Sequence, residues 1–170
     1  MSRPILLILR RFVFAITAMV LTVSAAAAQN VSQSTNYQLS SQLRGASMLL
    51  TVGNADAVFM AGANNSQAQL WRFTATGHGY YRMTSPHRGN DICLDVYNGG
   101  DQDNFGRVWG CEDYTGQYWR VAGSNGAYRL TTEFRGNNMC LEAFRFARSG
   151  VQLRPCADRP GQLWTLTPAG

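Results

Sequence analysis

The sequence YRMTSPHRGNDICLDVYNGGDQDNFGRVWGCEDYTGQYW, residues 81–119, decides the fold because its pattern occurs three times in the chain. Each copy starts at a tyrosine, passes an Arg-Gly pair and ends at a Gln-x-Trp triplet. The opening halves 37–52, 81–96 and 128–143 align without a gap. The starting tyrosines are 44 and 47 residues apart, and the closing tryptophans are 48 and 45 apart. A period of this length indicates supersecondary units that share one core.

The local pattern within each unit is that of short β-strands. Apolar residues alternate over four to six positions and are interrupted by Gly and Asn, and no part of the chain after residue 28 keeps a helical period. Links such as 76–79 and 123–126 consist of residues that turns require. The sequence therefore predicts an all-β fold with about four strands in each of the units 37–77, 81–123 and 128–168.

Three of the four tryptophans close the units, which predicts a common core around a pseudo-threefold axis. A buried tryptophan removes about 150–250 Å² from water, a large contribution for a small domain. The glutamine two positions earlier points to the same side of a strand, where its amide can satisfy backbone groups. We therefore interpret the triplets as mainly structural; their residues are Gln69, Trp71, Gln117, Trp119, Gln162 and Trp164.

The N-terminal segment has the pattern of a secretory signal peptide. A basic start with three arginines precedes an apolar run over 12–23 and four alanines, so we expect cleavage after Ala28. A retained membrane anchor is the alternative, but the run is short for a spanning helix, which needs about 20 apolar residues. We expect a secreted or periplasmic chain without a membrane span, beginning with a flexible leader over 29–36 and continuing as one domain over 37–170.

Charge argues against nucleic acid as a partner. The net charge of +5 includes three arginines of the signal, which leaves 12 arginines against 10 acidic residues. These arginines are scattered, whereas nucleic-acid binding needs a basic stripe that neutralises phosphates.

Four cysteines in an exported chain predict disulfides. Of the three possible pairings, the repeat favours Cys93 with Cys111 and Cys140 with Cys156, because each pair then joins the same two landmarks of one unit. A zinc site is the competing interpretation, although the chain has no C-x-x-C pair and only two histidines.

The triplets, the two Cys-Leu-[Asp/Glu] strands and the unit length together resemble the ricin-B-type lectin family. The resemblance covers the whole chain after the signal and implies a β-trefoil, in which three four-stranded lobes form a six-stranded barrel with a hairpin cap. It also implies a secreted lectin that binds a glycan or glycoconjugate, without a cofactor. Many members have lost one or more of their three sugar sites.

By this resemblance, the middle unit holds the main sugar site. Asp95 stands in the position of the carboxylate that accepts hydrogen bonds from hydroxyls, and Trp109 in that of the aromatic platform under the sugar ring. Arg107 occupies the polar position and Gln117 the closing one. Trp109 has no repeated counterpart, which favours a binding role, although a lone tryptophan can also shield a disulfide, and Asp95 can also hold a turn.

The other two units match less well. The third is a weaker second site, in which an arginine replaces the aromatic platform; its residues are Glu142, Gln152, Arg154 and Gln162. The first has Thr51, Phe59 and Ala61 at the corresponding positions, and we interpret it as structural.

Two other kinds of chemistry are disfavoured. Residues 101–106 with Glu112 partly match a calcium loop, but Phe105 interrupts the ligand pattern, so we expect a hairpin loop and no metal. Neither histidine lies in a catalytic motif, and the spacing of Asp95 and Glu112 requires no acid pair. We expect a lectin rather than an enzyme; the alternative is a protein-interaction trefoil that binds an exported partner, such as a toxin's cell-binding subunit or an inhibitor.

Overall fold

The computed structural model describes residues 30–146 and 150–169; the predicted signal peptide lies outside this part of the chain. The described residues form twelve strands, four in each predicted unit, which we call lobes 1 to 3. The strands are β1 (Asn36–Ser41), β2 (Met48–Val52), β3 (Val58–Gly62), β4 (Trp71–Gly77), β5 (Tyr80–Ser85), β6 (Gly89–Val96), β7 (Gly106–Gly110), β8 (Trp119–Ser124), β9 (Ala127–Thr132), β10 (Gly136–Ala143), β11 (Val151–Pro155) and β12 (Trp164–Ala169).

Six of the strands close into a ring. The antiparallel pairs run from β1 through β4, β5, β8, β9 and β12 and return to β1. Tight turns at the predicted links connect neighbouring lobes; Asn125 and Gly126 both have positive φ, as a two-residue hairpin turn requires. The predicted all-β trefoil of three repeats is confirmed.

The remaining strands form three hairpins, β2–β3, β6–β7 and β10–β11, which touch one another at one end of the ring. Single bridges join them in pairs: Ala57 with Arg107, Phe105 with Gln152, and Phe59 with Gly150. Because each hairpin meets both others, the loops of one lobe border the surface of the next.

The closing tryptophans form the centre of the core. Trp71, Trp119 and Trp164 are fully buried and belong to one apolar cluster. Each indole N–H donates to a backbone carbonyl in its own lobe, at 2.8–2.9 Å from the oxygen of Leu50, Leu94 or Leu141. Burial of each indole contributes about 4–6 kcal/mol gross.

The glutamines of the triplets are also fully buried and hold loop backbone. In lobe 2 the Gln117 amide donates to the carbonyl of Gly110 and accepts from the N–H of Glu112. Gln69 and Gln162 repeat both contacts with the matching residues of their lobes. Each glutamine therefore joins a hairpin end to the short 3₁₀ helix that precedes the closing tryptophan.

Two disulfides lie within single lobes, between Cys93 and Cys111 and between Cys140 and Cys156, so the predicted pairing is confirmed.

The segment predicted as a flexible leader packs on the barrel in its described part. Val31 is buried in the core cluster, and its N–H donates to the Tyr81 hydroxyl at 3.2 Å. The Gln33 side-chain carbonyl accepts from the N–H of Ala75 at 2.9 Å. Among residues 30–146 and 150–169, no helix is long and apolar enough to cross a membrane.

Candidate functional site

A hollow of about 380 Å³ lies beside the hairpin β6–β7 of lobe 2, and we call it the lobe 2 hollow. Three of the four residues predicted for the main site line it: Asp95, Arg107 and Trp109. The other lining residues are Val96, Asn98, Tyr114, Thr115 and Phe134.

The register of the hairpin brings the three predicted residues together. Asp95 stands opposite Arg107, and Cys93 stands opposite Trp109. Opposite residues share a face of the hairpin, and so do residues two positions apart along a strand. The carboxylate, the guanidinium and the indole therefore project from one face of β6–β7.

Asp95 is buried, and its carboxylate already accepts three hydrogen bonds. Its Oδ2 accepts from Nε and Nη2 of Arg107 at 3.2 and 3.0 Å, and its Oδ1 accepts from the N–H of Val96 at 2.8 Å. The Asp95 side chain is only 3% exposed, whereas that of Arg107 is 21% exposed. The hollow therefore presents the outer edge of an ion pair rather than a free carboxylate.

Gly116 contributes to the burial of this carboxylate. A Cβ atom at position 116 would lie 2.5 Å from Oδ1 of Asp95, closer than real side chains approach. Glycine at this position leaves room for Asp95 against the backbone of the short helix Thr115–Gln117. In lobe 3, Gly161 packs closely as well, but a Cβ there would lie 2.5 Å from the carbonyl oxygen of Ala143 and 3.2 Å from Cγ of Glu142.

The Arg107 guanidinium is held by two rings as well as by Asp95. Its central carbon lies 4.7 Å from the ring centroid of Tyr97 and 4.9 Å from that of Trp109. Cation–π contacts of this kind contribute about 0.5–1 kcal/mol each at exposed sites. The plane of the guanidinium is therefore fixed, and its remaining N–H groups are available at the rim of the hollow.

Trp109 is the one exposed indole of the four. It is 49% exposed, while the other three tryptophans are fully buried. It also borders a second hollow, of about 650 Å³, whose other lining residues are Ala55, Asp56, Arg88, Ile92, Val108 and Gly110. The indole thus stands between two hollows and offers aromatic surface to a ligand in either.

Several residues in and beside the hollow were missed by the sequence reasoning. Tyr97 does not line the hollow but packs on the Arg107 guanidinium; it lies two positions after Asp95, just beyond the end of β6, and this spacing was a usable signal. Its hydroxyl donates to the carboxylate of Asp56 in lobe 1, and this hydrogen bond, together with burial, raises the pKa of Tyr97. Phe134 reaches the hollow from lobe 3, and nothing in the repeat pattern predicts that contact.

Gln117, the fourth predicted residue, lies behind the hollow and does not line it. Its amide is used by the two backbone contacts with Gly110 and Glu112. Its connection to the site is indirect: it holds the loop that follows Trp109.

The four residues of the predicted second site use their polar groups on one another and on a neighbouring lobe. Glu142 stands opposite Gln152 and accepts from the Gln162 amide at 2.8 Å. The Gln152 amide donates to the carbonyl of Asp103 in lobe 2, and Arg154 donates to Gln152 at 3.3 Å. This side of lobe 3 presents arginines where lobe 2 presents an exposed indole.

The loop predicted not to bind calcium makes contacts between lobes. Asp103 accepts from the guanidinium of Arg135 in lobe 3 at 2.7 Å, and Asn104 accepts from Nε of the same arginine at 2.6 Å. Within residues 30–146 and 150–169, no three His, Cys, Asp or Glu side chains are grouped so that they could hold a metal ion.

Family models cover both halves of the chain. The model described as ricin-type beta-trefoil lectin domain matches residues 83–170, and the model described as ricin-type beta-trefoil lectin domain-like matches residues 11–109. A search of curated proteins found no significant match.

Three solved structures with the same fold are between 16% and 24% identical to this chain. The designed threefold-symmetric protein ThreeFoil is 24% identical (TM-score 0.66), over 78% of this chain and 97% of that one. The Macrolepiota procera ricin B-like lectin, solved with lactose, is 16% identical (TM-score 0.63), over 82% and 99%. The Haemophilus ducreyi cytolethal distending toxin is 20% identical (TM-score 0.63), over 89% and 95%.

In some similar structures this chain matches only part of a longer one. It spans 18% of the matched chain of a mosquitocidal holotoxin, and 33% and 32% of those of two clostridial enzymes, an endo-β-galactosidase and an exo-β-1,3-galactanase.

Proposed function

The chain belongs to the ricin-type β-trefoil lectin family, and from this premise we propose that it is an exported carbohydrate-binding protein without catalytic activity of its own. We place the sugar in the lobe 2 hollow. The observation that carries the proposal is the Trp109 indole, 49% exposed beside a hollow that the Asp95–Arg107 pair also lines. A large aromatic surface beside polar groups with fixed directions is what a sugar ring requires.

Each of the three residues has a different role in the proposal. Trp109 stacks on the apolar C–H side of the sugar ring, which suits the π cloud of an indole. Arg107 donates to sugar oxygens through the N–H groups that Asp95 leaves unused. Asp95 orients Arg107 and, as a lining residue of the hollow, accepts from a hydroxyl at the edge of the ion pair. Arg107 held by Asp95 is more rigid than a free arginine, so less side-chain entropy is lost on binding.

The test is a glycan array on the oxidised protein, followed by calorimetric titration of the best ligand. Lactose is a suitable first probe because the similar Macrolepiota procera lectin was solved with it. Trp109→Ala is expected to weaken binding at least tenfold, equivalent to about 1.4 kcal/mol. Phe146→Ala is the matched control, since Phe146 is 76% exposed but does not line the hollow.

The results separate the two functional classes. Loss of binding in Trp109→Ala but not in Phe146→Ala supports the lectin. If both variants still bind sugar as the unmodified protein does, the sugar site lies in another lobe. A protein that binds no glycan but co-purifies with an exported protein would support the alternative, a protein-interaction trefoil such as the subunit of a toxin.

Export is part of the same proposal. The two disulfides fit an oxidising compartment, and the N-terminal sequence pattern fits a cleaved signal. N-terminal sequencing of the exported protein tests it: a start at Gln29 is expected, and a retained Met1 would contradict it.

A further inference from the structure

The outer wall of the barrel carries two arginines on one face of the pair β8–β9. Arg120 stands opposite Thr131, and Ala122 stands opposite Arg129. Arg120 and Arg129 are thus diagonal neighbours, a spacing of about 7–8 Å between positions. Like charges at this spacing repel each other unless an anion lies near both.

The two arginines differ in how they are compensated. The Arg129 guanidinium donates to the carboxylate of Asp158 at 2.7 Å and to the carbonyl of Ala157 at 3.3 Å. Across the described part of the chain, the Arg120 side chain has neither an ion pair nor a hydrogen bond, whereas a buried Nε without an acceptor is common to both arginines. The half-buried Arg120 guanidinium therefore has no counter-ion, and an anion in contact with its accessible N–H groups would form charge-assisted hydrogen bonds.

Both arginines border a hollow of about 680 Å³, which we call the barrel-wall hollow. Thr131, Asn137 and the disulfide Cys140–Cys156 also line it. It shares no lining residue with the lobe 2 hollow. The hydroxyl and the amide add neutral hydrogen-bond donors to the two cations.

The pseudo-threefold repeat provides internal comparisons at the other two junctions between lobes. On β4–β5 the matching residues are Arg72 and Arg82. Arg72 is exposed, and Arg82 is bound by the Asp113 carboxylate and by the hydroxyl and ring of Tyr118.

On β12–β1 the matching residues are the neutral pair Thr165 and Gln38. Leu163, which occupies the place of Tyr118 in lobe 3, has no hydroxyl to bind Arg129. The junction between lobes 2 and 3 therefore combines a half-buried arginine without a counter-ion and a hollow in front of it.

We propose that the barrel-wall hollow binds a singly charged oxyanion group, a carboxylate or a sulfate ester, through Arg120 with support from Arg129, Thr131 and Asn137. The fork of a guanidinium matches the paired oxygens of such a group. Asp158 reduces the net charge of the site to +1, which favours one negative charge and disfavours a phosphate dianion or a polyanion. This site is independent of the sugar site in lobe 2.

Titration of the ¹⁵N-labelled protein with sodium acetate and with sodium methyl sulfate tests the proposal, at an ionic strength held constant with sodium chloride. Saturable shifts are expected for the backbone amides of Ala122 and Asn137. Arg120→Gln is expected to weaken both interactions at least tenfold, and Arg72→Gln, the matched exposed arginine, is expected to change neither.

Arg120→Lys separates charge from shape, because lysine keeps the charge but loses the fork; it is expected to weaken acetate binding at least threefold. The amide spectrum of each variant also reports whether it is folded. Equal shifts in the protein and in Arg120→Gln, or shifts that grow linearly without saturation, would overturn the proposal. So would an equal loss in Arg72→Gln. Binding that persists in Trp109→Ala is expected, because the two hollows are separate.

Discussion

Gly116→Ala is expected to displace the buried carboxylate on which the lobe 2 hollow depends. The new Cβ would lie 2.5 Å from Oδ1 of Asp95 and 3.3 Å from Cγ2 of Val96. A real Cβ does not approach another atom this closely, so either Asp95 or the backbone of the short helix Thr115–Gln117 must shift. Asp95 has little freedom to do so, because its carboxylate is held by three hydrogen bonds and its side chain is 3% exposed.

Two opposing effects determine how much Gly116→Ala changes the free energy of unfolding. Overfilling a packed site costs about 1–3 kcal/mol, and a weakened hydrogen bond to a charged group adds to this cost. Replacing glycine by alanine lowers the conformational entropy of the unfolded chain, and this stabilises the folded protein by about 0.4–1 kcal/mol. We therefore expect Gly116→Ala to lower the free energy of unfolding by about 1–2 kcal/mol and to weaken sugar binding, because Arg107 loses its fixed partner.

Urea unfolding and calorimetric titration measure the two effects. The matched control is Gly62→Ala, since a Cβ at position 62 would meet nothing within 4 Å; its stability is expected to change by less than about 0.5 kcal/mol. The reasoning would be refuted if Gly116→Ala matched Gly62→Ala both in its free energy of unfolding and in its affinity for sugar. The close packing of Gly116 on Asp95 would then contribute neither to stability nor to binding.

Two further predictions concern stability. Replacing both cysteines of the 93–111 disulfide by serine releases a closed loop with a sequence separation of 18 residues, and urea unfolding is expected to show a loss of about 3 kcal/mol; an unchanged midpoint would contradict this. Hydrogen bonds from Tyr118 and then Arg82 lower the pKa of Asp113, so its stabilising effect is present above its unfolded pKa and is lost as the pH falls through the lower folded pKa. The free energy of unfolding, measured between about pH 2 and 6, is expected to fall less steeply with decreasing pH in Asp113→Asn than in the unmodified protein. Identical pH profiles would refute the linkage.

The fold was predictable because the features that determine it are repeated. The three closing tryptophans are spaced by a nearly constant period, and a period common to three units has few explanations other than a shared core. The disulfides were predictable for the same reason, since both pairs occupy the same landmarks. Alternation and turn residues then identified the strands without any knowledge of their partners.

The arrangement of the candidate site was only partly predictable. The family resemblance placed Asp95 and Trp109 in one site, and they lie on one hairpin because pairing across a hairpin follows from local spacing. It did not show that Arg107 would bind Asp95 and bury it, since this depends on the glycine at position 116 and on side-chain directions. Contacts between lobes were not predictable either. Phe134 and Asp56 belong to other units, and the repeat pattern does not show which residues of different units meet.

The central claim, that the exposed indole is the platform of a glycan site, can be tested by quenching of tryptophan fluorescence with acrylamide. Three of the four tryptophans are fully buried, so the quenchable fraction reports on Trp109. We expect the best glycan from the array to protect this fraction in the unmodified protein, and Trp109→Phe to remove the fraction itself. Glycan binding measured by calorimetry without any protection from acrylamide would contradict the claim.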